Sequence, residues 1–341
     1  MAYETGTASN IADLMDKLQI FAVANGWTKN EPAGSIVDRL SINRNSVYVQ
    51  FRWATTSPTA VAVYQSLGFS GTGTNPGGHT SDSGQGLAPA TAATDANIRT
   101  ARHVLIPNSS MSYWFFESDY YIHVVITRAA LQYSHFGFGE LVKQGTWTGG
   151  EYAYGQVFAT ATQNIQLATS SSFLLDGQLG SGGLSDATTY RPFAATVHVE
   201  SLPAQAASTK WALCWGDAGN PTNNAGTDRA SLQRYNVLGG FRSGPIASSF
   251  ARMTLSATSG LTSMYPIALF YFGGVVGGIG QWYPLGYMAD VRGIDTQVFS
   301  ETQEITVGAD TWVVFPVTHK FATQANGNCR SMGVAYKKVT T

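Results

Sequence analysis

Short runs in which apolar and polar residues alternate recur along most of the chain, and this alternation limits its fold more than any other feature. In the run at 47–54 (VYVQFRWA), the two faces of the pattern are Val47, Val49, Phe51 and Trp53 against Tyr48, Gln50 and Arg52. A period of two residues is typical of an antiparallel strand with one buried face. Similar runs are SYWFF, YYIHVVIT, LQYSHFGFGELV, TVHVE, KWALCWG, IALFYF, EITV, TWVVFPV and MGVAYKKV. The sequence therefore predicts a mainly β protein, built as an antiparallel β-sandwich or as barrel-like domains.

One segment near the start has the period of a helix instead. Its apolar residues recur at spacings of three and four and make one stripe: Ile11, Leu14, Met15, Leu18, Phe21 and Ala22. Ser9 or Asn10 can cap the first turn, and Gly26 lies where a left-handed stop is common. We expect one N-terminal amphipathic α-helix, with Trp27 packing back beneath it.

Two stretches interrupt the strand pattern. Residues 70–101 contain no aromatic side chain and are dense in Gly, Thr, Ser and Asn, which predicts a long surface loop. Residues 160–183 carry one charged side chain, Asp176, and are a possible linker. We expect the helix and a β domain at 1–159, and a C-terminal β domain at 184–341.

Charged residues are scarce. The chain has 20 basic and 21 acidic residues among 341, or 12%, against about 25% in an average soluble domain. The aromatic content and the net charge of −1 exclude a disordered chain, and the absence of a basic excess argues against nucleic-acid binding. A neutral, aromatic-rich surface is cheap to desolvate, so it suits a subunit of a large assembly or a carbohydrate binder.

The longest uncharged stretch is residues 253–289. Its most apolar part, residues 264–279, is shorter than the ~20 residues of a spanning helix and contains Pro266 and four glycines. We expect no membrane insertion. The favoured interpretation is a buried strand at Ile267–Phe272 followed by a glycine-rich loop, and the alternative is an apolar surface that packs on another subunit or touches a membrane.

Two groups of side chains raise the question of chemistry. His123, His135 and Glu140 could form a metal site of two histidines and one carboxylate. Their spacing matches no known metal-ligand motif, so the favoured interpretation is a hydrogen-bonded histidine within the sheet. Glu117 and Asp119 lie among aromatics like the two carboxylates of a glycosidase, but the favoured interpretation is a hairpin turn at 117–119 between two strands. We expect no catalytic, cofactor-binding or metal-binding residues.

Five segments carry a resemblance to a known family. They are ADLMDKLQIFAVANGWT at 12–28, YWFFESDYYIHVVITRAALQYSHFGFGELVKQGTWTGGEYAYG at 113–155, YPLGYMADVRGID at 283–295, EITVGADTWVVFPVTHK at 304–320 and MGVAYKK at 332–338. Together they resemble structural proteins of tailed bacteriophages. The resemblance implies a virion subunit of the tail, baseplate or tail-fibre attachment region, present in several copies and without catalytic residues. Assembly in the bacterial cytoplasm agrees with two unpaired cysteines and with the lack of a secretion signal.

These observations lead to one main hypothesis and two alternatives. The main one is a non-enzymatic virion subunit whose partners are copies of itself and other virion proteins. Its expected interface residues are Ile11, Leu14, Leu18, Phe21, Phe270, Phe272, Trp282 and Tyr283. The first alternative is a receptor- or glycan-binding protein at the tail tip, with Trp282 and Tyr283, or Trp147 with Tyr152 and Tyr154, as sugar platforms. The remote alternative is a polysaccharide-degrading tail enzyme, with Glu117 and Asp119 as acid and base.

Overall fold

A computed structural model describes residues 2–30, 39–55, 60–69, 79–80, 102–129, 132–155, 193–200, 211–216, 264–276, 279–296, 299–316 and 332–339. These residues form one helix, α1 (Ile11–Ala24), and 20 strands. The strands are β1 (Ala2–Ala8), β2 (Thr28–Lys29), β3 (Arg39–Arg44), β4 (Val47–Ala54), β5 (Ala60–Ser66), β6 (Gly68–Phe69), β7 (His79–Thr80), β8 (Arg102–Leu105), β9 (Met111–Ser118), β10 (Tyr121–Ala129), β11 (Gln132–Glu140), β12 (Val142–Lys143), β13 (Thr148–Tyr154), β14 (Phe193–Glu200), β15 (Trp211–Gly216), β16 (Met264–Val276), β17 (Ile279–Asp295), β18 (Glu304–Val307), β19 (Asp310–Pro316) and β20 (Met332–Lys338).

The described strands pair into antiparallel sheets, which confirms the predicted fold class. The larger sheet has 13 strands in the order β1-β9-β10-β11-β13-β14-β15-β16-β17-β20-β19-β18, with β12 beside β17. The smaller sheet has the order β2-β3-β4-β5-β8, and β6 pairs with β7. Strands from both sides of segment 160–183 are hydrogen-bonded in the larger sheet through the β13–β14 pair.

Two hydrophobic cores lie on opposite faces of β9–β13. On one face, these strands pack against β16, β17, β19 and β20, as the stacked rings of Phe116 and Tyr336 show at 5.0 Å. On the other face, they pack against the smaller sheet and α1, where the rings of Phe51 and Phe138 lie 5.4 Å apart. The result is a sandwich-like arrangement in which the alternating residues of β9–β13 fill both cores.

Helix α1 forms as its pattern predicts. The side chain of Asn10 accepts from the backbone N–H of Asp13 at 3.0 Å and caps the first turn. Gly26 has φ +86°, so it adopts the left-handed conformation that ends the helix. Trp27 then packs edge-on against Phe138 at 5.2 Å, beneath the helix as expected.

The structure differs from the sequence prediction at three places. Strand β1 precedes the helix and was not predicted. Glu117 and Ser118 belong to β9, so the turn consists of Asp119 and Tyr120. Strand β16 continues through Gly273 and Gly274, because β17 pairs with it as far as Val276, so the predicted glycine-rich loop is wrong there. Segment 160–183 and most of segment 70–101 lie outside the described residues.

Candidate functional site

Arg44 joins three parts of the fold at one end of the sheets. Its Nη1 donates to Glu117 Oε1 at 2.6 Å and to the backbone carbonyl of Asn25 at 2.8 Å. Its Nη2 donates to Asp119 Oδ1 at 2.6 Å. Arg44 ends β3, Asn25 follows α1, and the two carboxylates come from β9 and its turn. The guanidinium therefore holds both carboxylates that the sequence offered as an acid–base pair.

The bonds to Arg44 bear on whether Glu117 and Asp119 could act as a catalytic acid and base. Glu117 is 2% exposed, and burial raises the pKa of its carboxyl while nearby positive charges, among them that of Arg44, oppose that rise. Arg44 donates to both carboxylates and so occupies the space between them, where a glycosidase would hold its substrate. The geometry supports a structural ion-pair cluster at the junction of the two sheets.

The two candidate metal ligands of the larger sheet are hydrogen-bonded to tyrosines. His123 Nδ1 lies 2.8 Å from the hydroxyl of Tyr154, and His135 Nδ1 lies 2.9 Å from the hydroxyl of Tyr336. The two hydroxyls are 3.4 Å apart, and His135 Nε2 lies 3.1 Å from the carbonyl of Pro316. The four side chains form one buried polar chain, so the favoured interpretation of a hydrogen-bonded sheet histidine is confirmed.

Burial sets the protonation of this chain. It lowers the pKa of His123 to about 3, against an opposing effect from the backbone of Ala289. It raises the pKa of Tyr154 and of Tyr336. His123, Tyr154 and Tyr336 are therefore neutral at pH 7, which lets them lie away from water. Across the described ranges, no group of three or more His, Cys, Asp or Glu side chains is arranged to hold a metal ion.

A third histidine lies between two carboxylates. His198 Nδ1 is 2.7 Å from Glu151 Oε2, and its Nε2 is 3.2 Å from Glu200 Oε1. Burial alone would lower the pKa of His198, but the bonds to Glu151 and Glu200 outweigh it and raise that pKa. Burial opposes ionisation of Glu151, yet hydrogen bonds from His198 and Ser46 hold its pKa below the usual value. This cluster connects β13 and β14 with the β3–β4 turn.

The eight expected interface residues fall into two groups. On α1, the four side chains of the stripe are buried in the chain's own core, against the smaller sheet and β9–β11: Ile11, Leu14, Leu18 and Phe21. That stripe holds the fold together and is not free surface. The other four lie in the β16–β17 pair, where Phe272 is opposite Trp282, Phe270 is opposite Pro284 and Tyr283 is opposite Tyr271. The side chains of these four residues lie outside the described part of the chain.

Large apolar side chains that the sequence analysis did not select are exposed on two surfaces and, singly, at Val307 of β18. The helix surface consists of Ile20, which is 67% exposed, and Val23, which is 48% exposed. The tyrosine surface consists of Tyr120, Val142 and Tyr287, with Tyr120 57% and Tyr287 39% exposed. The position of Ile20 and Val23 off the apolar stripe could have identified the helix surface.

The pairing of the strands brings the tyrosine surface together. Val142 lies opposite Tyr287 in the β12–β17 pair. The N–H of Glu140, two residues before Val142, donates to the carbonyl of Tyr120 at 2.8 Å. Residues 120, 142 and 287 are far apart in sequence, so no local pattern could have identified this surface.

The aromatic cluster that was offered as a sugar platform is internal. Tyr152 and Tyr154 are buried, so they cannot stack on an external sugar. Trp147 is half-buried, and its Nε1 donates to the carbonyl of Leu285 at 3.2 Å. Lys143 lies over its ring at 5.8 Å from the centroid. This cluster is therefore part of the fold.

None of the helical residues in the described ranges forms a span long and apolar enough to cross a membrane. No protein-family model and no curated protein matches the chain.

Proposed function

We propose that the chain is a non-enzymatic structural subunit of a bacteriophage virion, in the tail, the baseplate or the tail-fibre attachment region. One structural observation carries the proposal. The side chains that resembled catalytic or metal-binding groups are hydrogen-bonded to other side chains of the fold, whereas several large apolar side chains lie on the surface. A chain of this kind acts through contacts with other proteins.

Two sequence properties add support. The segments at 12–28 and 113–155 resemble tail structural proteins, and they form α1 and the strands between the two cores. The surface of the chain is short of charge, so burying it against a neighbour costs little desolvation energy. The helix surface is the contact with a neighbouring subunit that this proposal favours, because Ile20 and Val23 lie one turn apart on it.

The test is incorporation into particles. We expect mass spectrometry of purified virions to detect the chain in several copies. Substituting Ile20 and Val23 together by Glu should reduce the incorporated amount roughly tenfold or more, because interface anchors buried against a partner do not tolerate charge. Circular dichroism and the melting temperature should stay unchanged, since both side chains are exposed in the isolated chain.

A control adds the same charge elsewhere. Substituting the exposed Thr7 and Thr306 by Glu should leave incorporation unchanged. Purified virions that lack the chain, or equal incorporation of both double variants, would contradict the proposal.

A second candidate function is glycan or receptor binding at the tail tip. It is favoured by Tyr120 and Tyr287, since exposed aromatic rings can stack on sugars. In that case, purified protein should bind host cells, and Tyr287→Ala should abolish binding without unfolding the chain. Val307→Ala is the matched control, because Val307 is exposed on β18, outside the tyrosine surface. Binding that survives Tyr287→Ala would remove this candidate.

A further inference from the structure

The smaller sheet carries two arginines directly opposite each other. The β3–β4 register pairs Arg39 with Arg52, and side chains at paired positions lie on the same face of a sheet. Their neighbours Leu40 and Phe51 point into the core, so the two arginines are on the outer face. Like charges at such positions repel each other, and neither arginine forms an ion pair among the described residues.

Three nitrogen atoms of this arginine pair are buried. Arg39 Nε and Nη1 and Arg52 Nη1 are shielded from solvent and have no hydrogen-bond partner among the described residues. Both arginine side chains are nevertheless half-buried as a whole, so the cluster reaches the surface. Buried donors without acceptors cost free energy, and native proteins rarely leave several of them together.

Gln50 adds a third unpaired group to the same face. It lies two residues before Arg52 on β4, so its side chain points the same way. Gln50 is buried, and neither its amide nitrogen nor its amide oxygen has a hydrogen-bond partner in the described part of the molecule. The Gln50 amide nitrogen can donate toward the same space as the two guanidinium groups.

The electrostatics of the cluster agree with this geometry. Burial lowers the pKa of the Arg39 guanidinium, and the positive charge of Arg52 lowers it further, while Tyr64 acts in the opposite direction. An anion between the arginines would reverse both unfavourable effects, because it supplies counter-charge and accepts hydrogen bonds.

We propose that Arg39, Arg52 and Gln50 form a binding site for an oxyanion, which can be a phosphate, sulfate or carboxylate group. Guanidinium groups present parallel N–H donors that match the oxygens of such groups. Gln50 supplies a neutral donor from the floor of the site. The inference goes beyond the proposed structural role and does not depend on it.

The test measures thermal unfolding of the full chain in sodium phosphate, sulfate or acetate against sodium chloride at equal ionic strength. At least one oxyanion should raise the melting temperature above its value in chloride, since a ligand of the native state stabilises it. Comparing phosphate and sulfate with acetate distinguishes a tetrahedral anion from a carboxylate. By calorimetric titration, Arg52→Gln should weaken binding roughly tenfold or more.

The variants also predict the direction in which the melting temperature changes in chloride. A purely structural role of the arginines would give the opposite direction. In chloride alone, Arg52→Gln should unfold at the same temperature as the wild type or higher, because the substitution removes repulsion from Arg39. Gln50→Leu should behave likewise in chloride and lose part of the oxyanion response. Arg292→Gln removes the same charge from a site beside Trp312 and should keep the full response.

Two outcomes would overturn the site. One is a wild type whose melting temperature is the same in all four salts. The other is Arg52→Gln that is less stable than the wild type in chloride and responds to oxyanions as the wild type does.

Discussion

Replacing Arg44 with Met should lower the free energy of unfolding by about 3–5 kcal/mol at pH 7. The substitution keeps most of the apolar stem but removes the guanidinium that donates to Glu117 Oε1 at 2.6 Å. It takes away a positive charge that favours the ionised form of the buried Glu117 carboxyl, and it removes the bonds to Asp119 and to the carbonyl of Asn25. Urea unfolding followed by tryptophan fluorescence measures the loss.

Three comparisons separate this mechanism from a general effect of losing charge. Lys17→Met removes a surface ion pair with Asp13 and should cost less than about 1 kcal/mol. Combining Arg44→Met with Glu117→Gln should recover part of the stability, because the buried charge is gone. The loss caused by Arg44→Met should also shrink as the pH falls.

The sign of that pH dependence follows from Glu117. Burial raises the pKa of its carboxyl above the ordinary 4.5, and loss of Arg44 raises it further. A carboxyl with a raised pKa in the folded state loses stability as the pH rises through that pKa, and regains it on protonation. An Arg44→Met variant whose deficit is the same at pH 7 and pH 4, or below about 1 kcal/mol at pH 7, would contradict the account.

Local patterns in the sequence predict the elements of this fold well. The alternation in VYVQFRWA matches β4 at its full length, and the helical stripe matches the buried face of α1. Both patterns are set by which side chains face a core, and they are visible within one element. Strand β1 was not predicted, because apolar and polar residues alternate only weakly in AYETGTA and most of its residues are only half-buried.

The contacts between elements could not be predicted in the same way. Arg44 and Glu117 are 73 residues apart, and His135 and Tyr336 are 201 residues apart. Their pairing depends on how the sheets pack, and the spacing of residues within one segment does not show this. The apolar stripe of α1 illustrates the same limit, because a stripe buried in the chain's own core looks in sequence like one buried against a neighbouring subunit.

His123→Gln should make the stability of the protein less sensitive to acid. Because burial lowers the pKa of His123 from 6.5 to about 3, the folded state keeps this ring neutral while the unfolded state takes up a proton. The wild type should therefore lose stability as the pH falls from 6.5 to 3, by about 5 kcal/mol from this residue alone. Gln can still hydrogen-bond to Tyr154 but does not titrate, so the variant should lack this part of the loss.

A variant of His198 should show the opposite dependence of the free energy of unfolding on pH. At pH 7, His123→Gln should cost about 1–3 kcal/mol, because the new hydrogen bond is poorer, and its stability should approach or exceed that of the wild type by pH 4. His198 has a raised pKa, so the stability it contributes is full below 6.5 and is lost as the pH rises through the folded-state pKa. The deficit of His198→Gln should thus be largest in acid and fade in base. If urea unfolding at pH 4–8 gave both variants parallel profiles, burial would not control the charge of His123, and the buried tyrosine chain would have to accommodate an imidazolium.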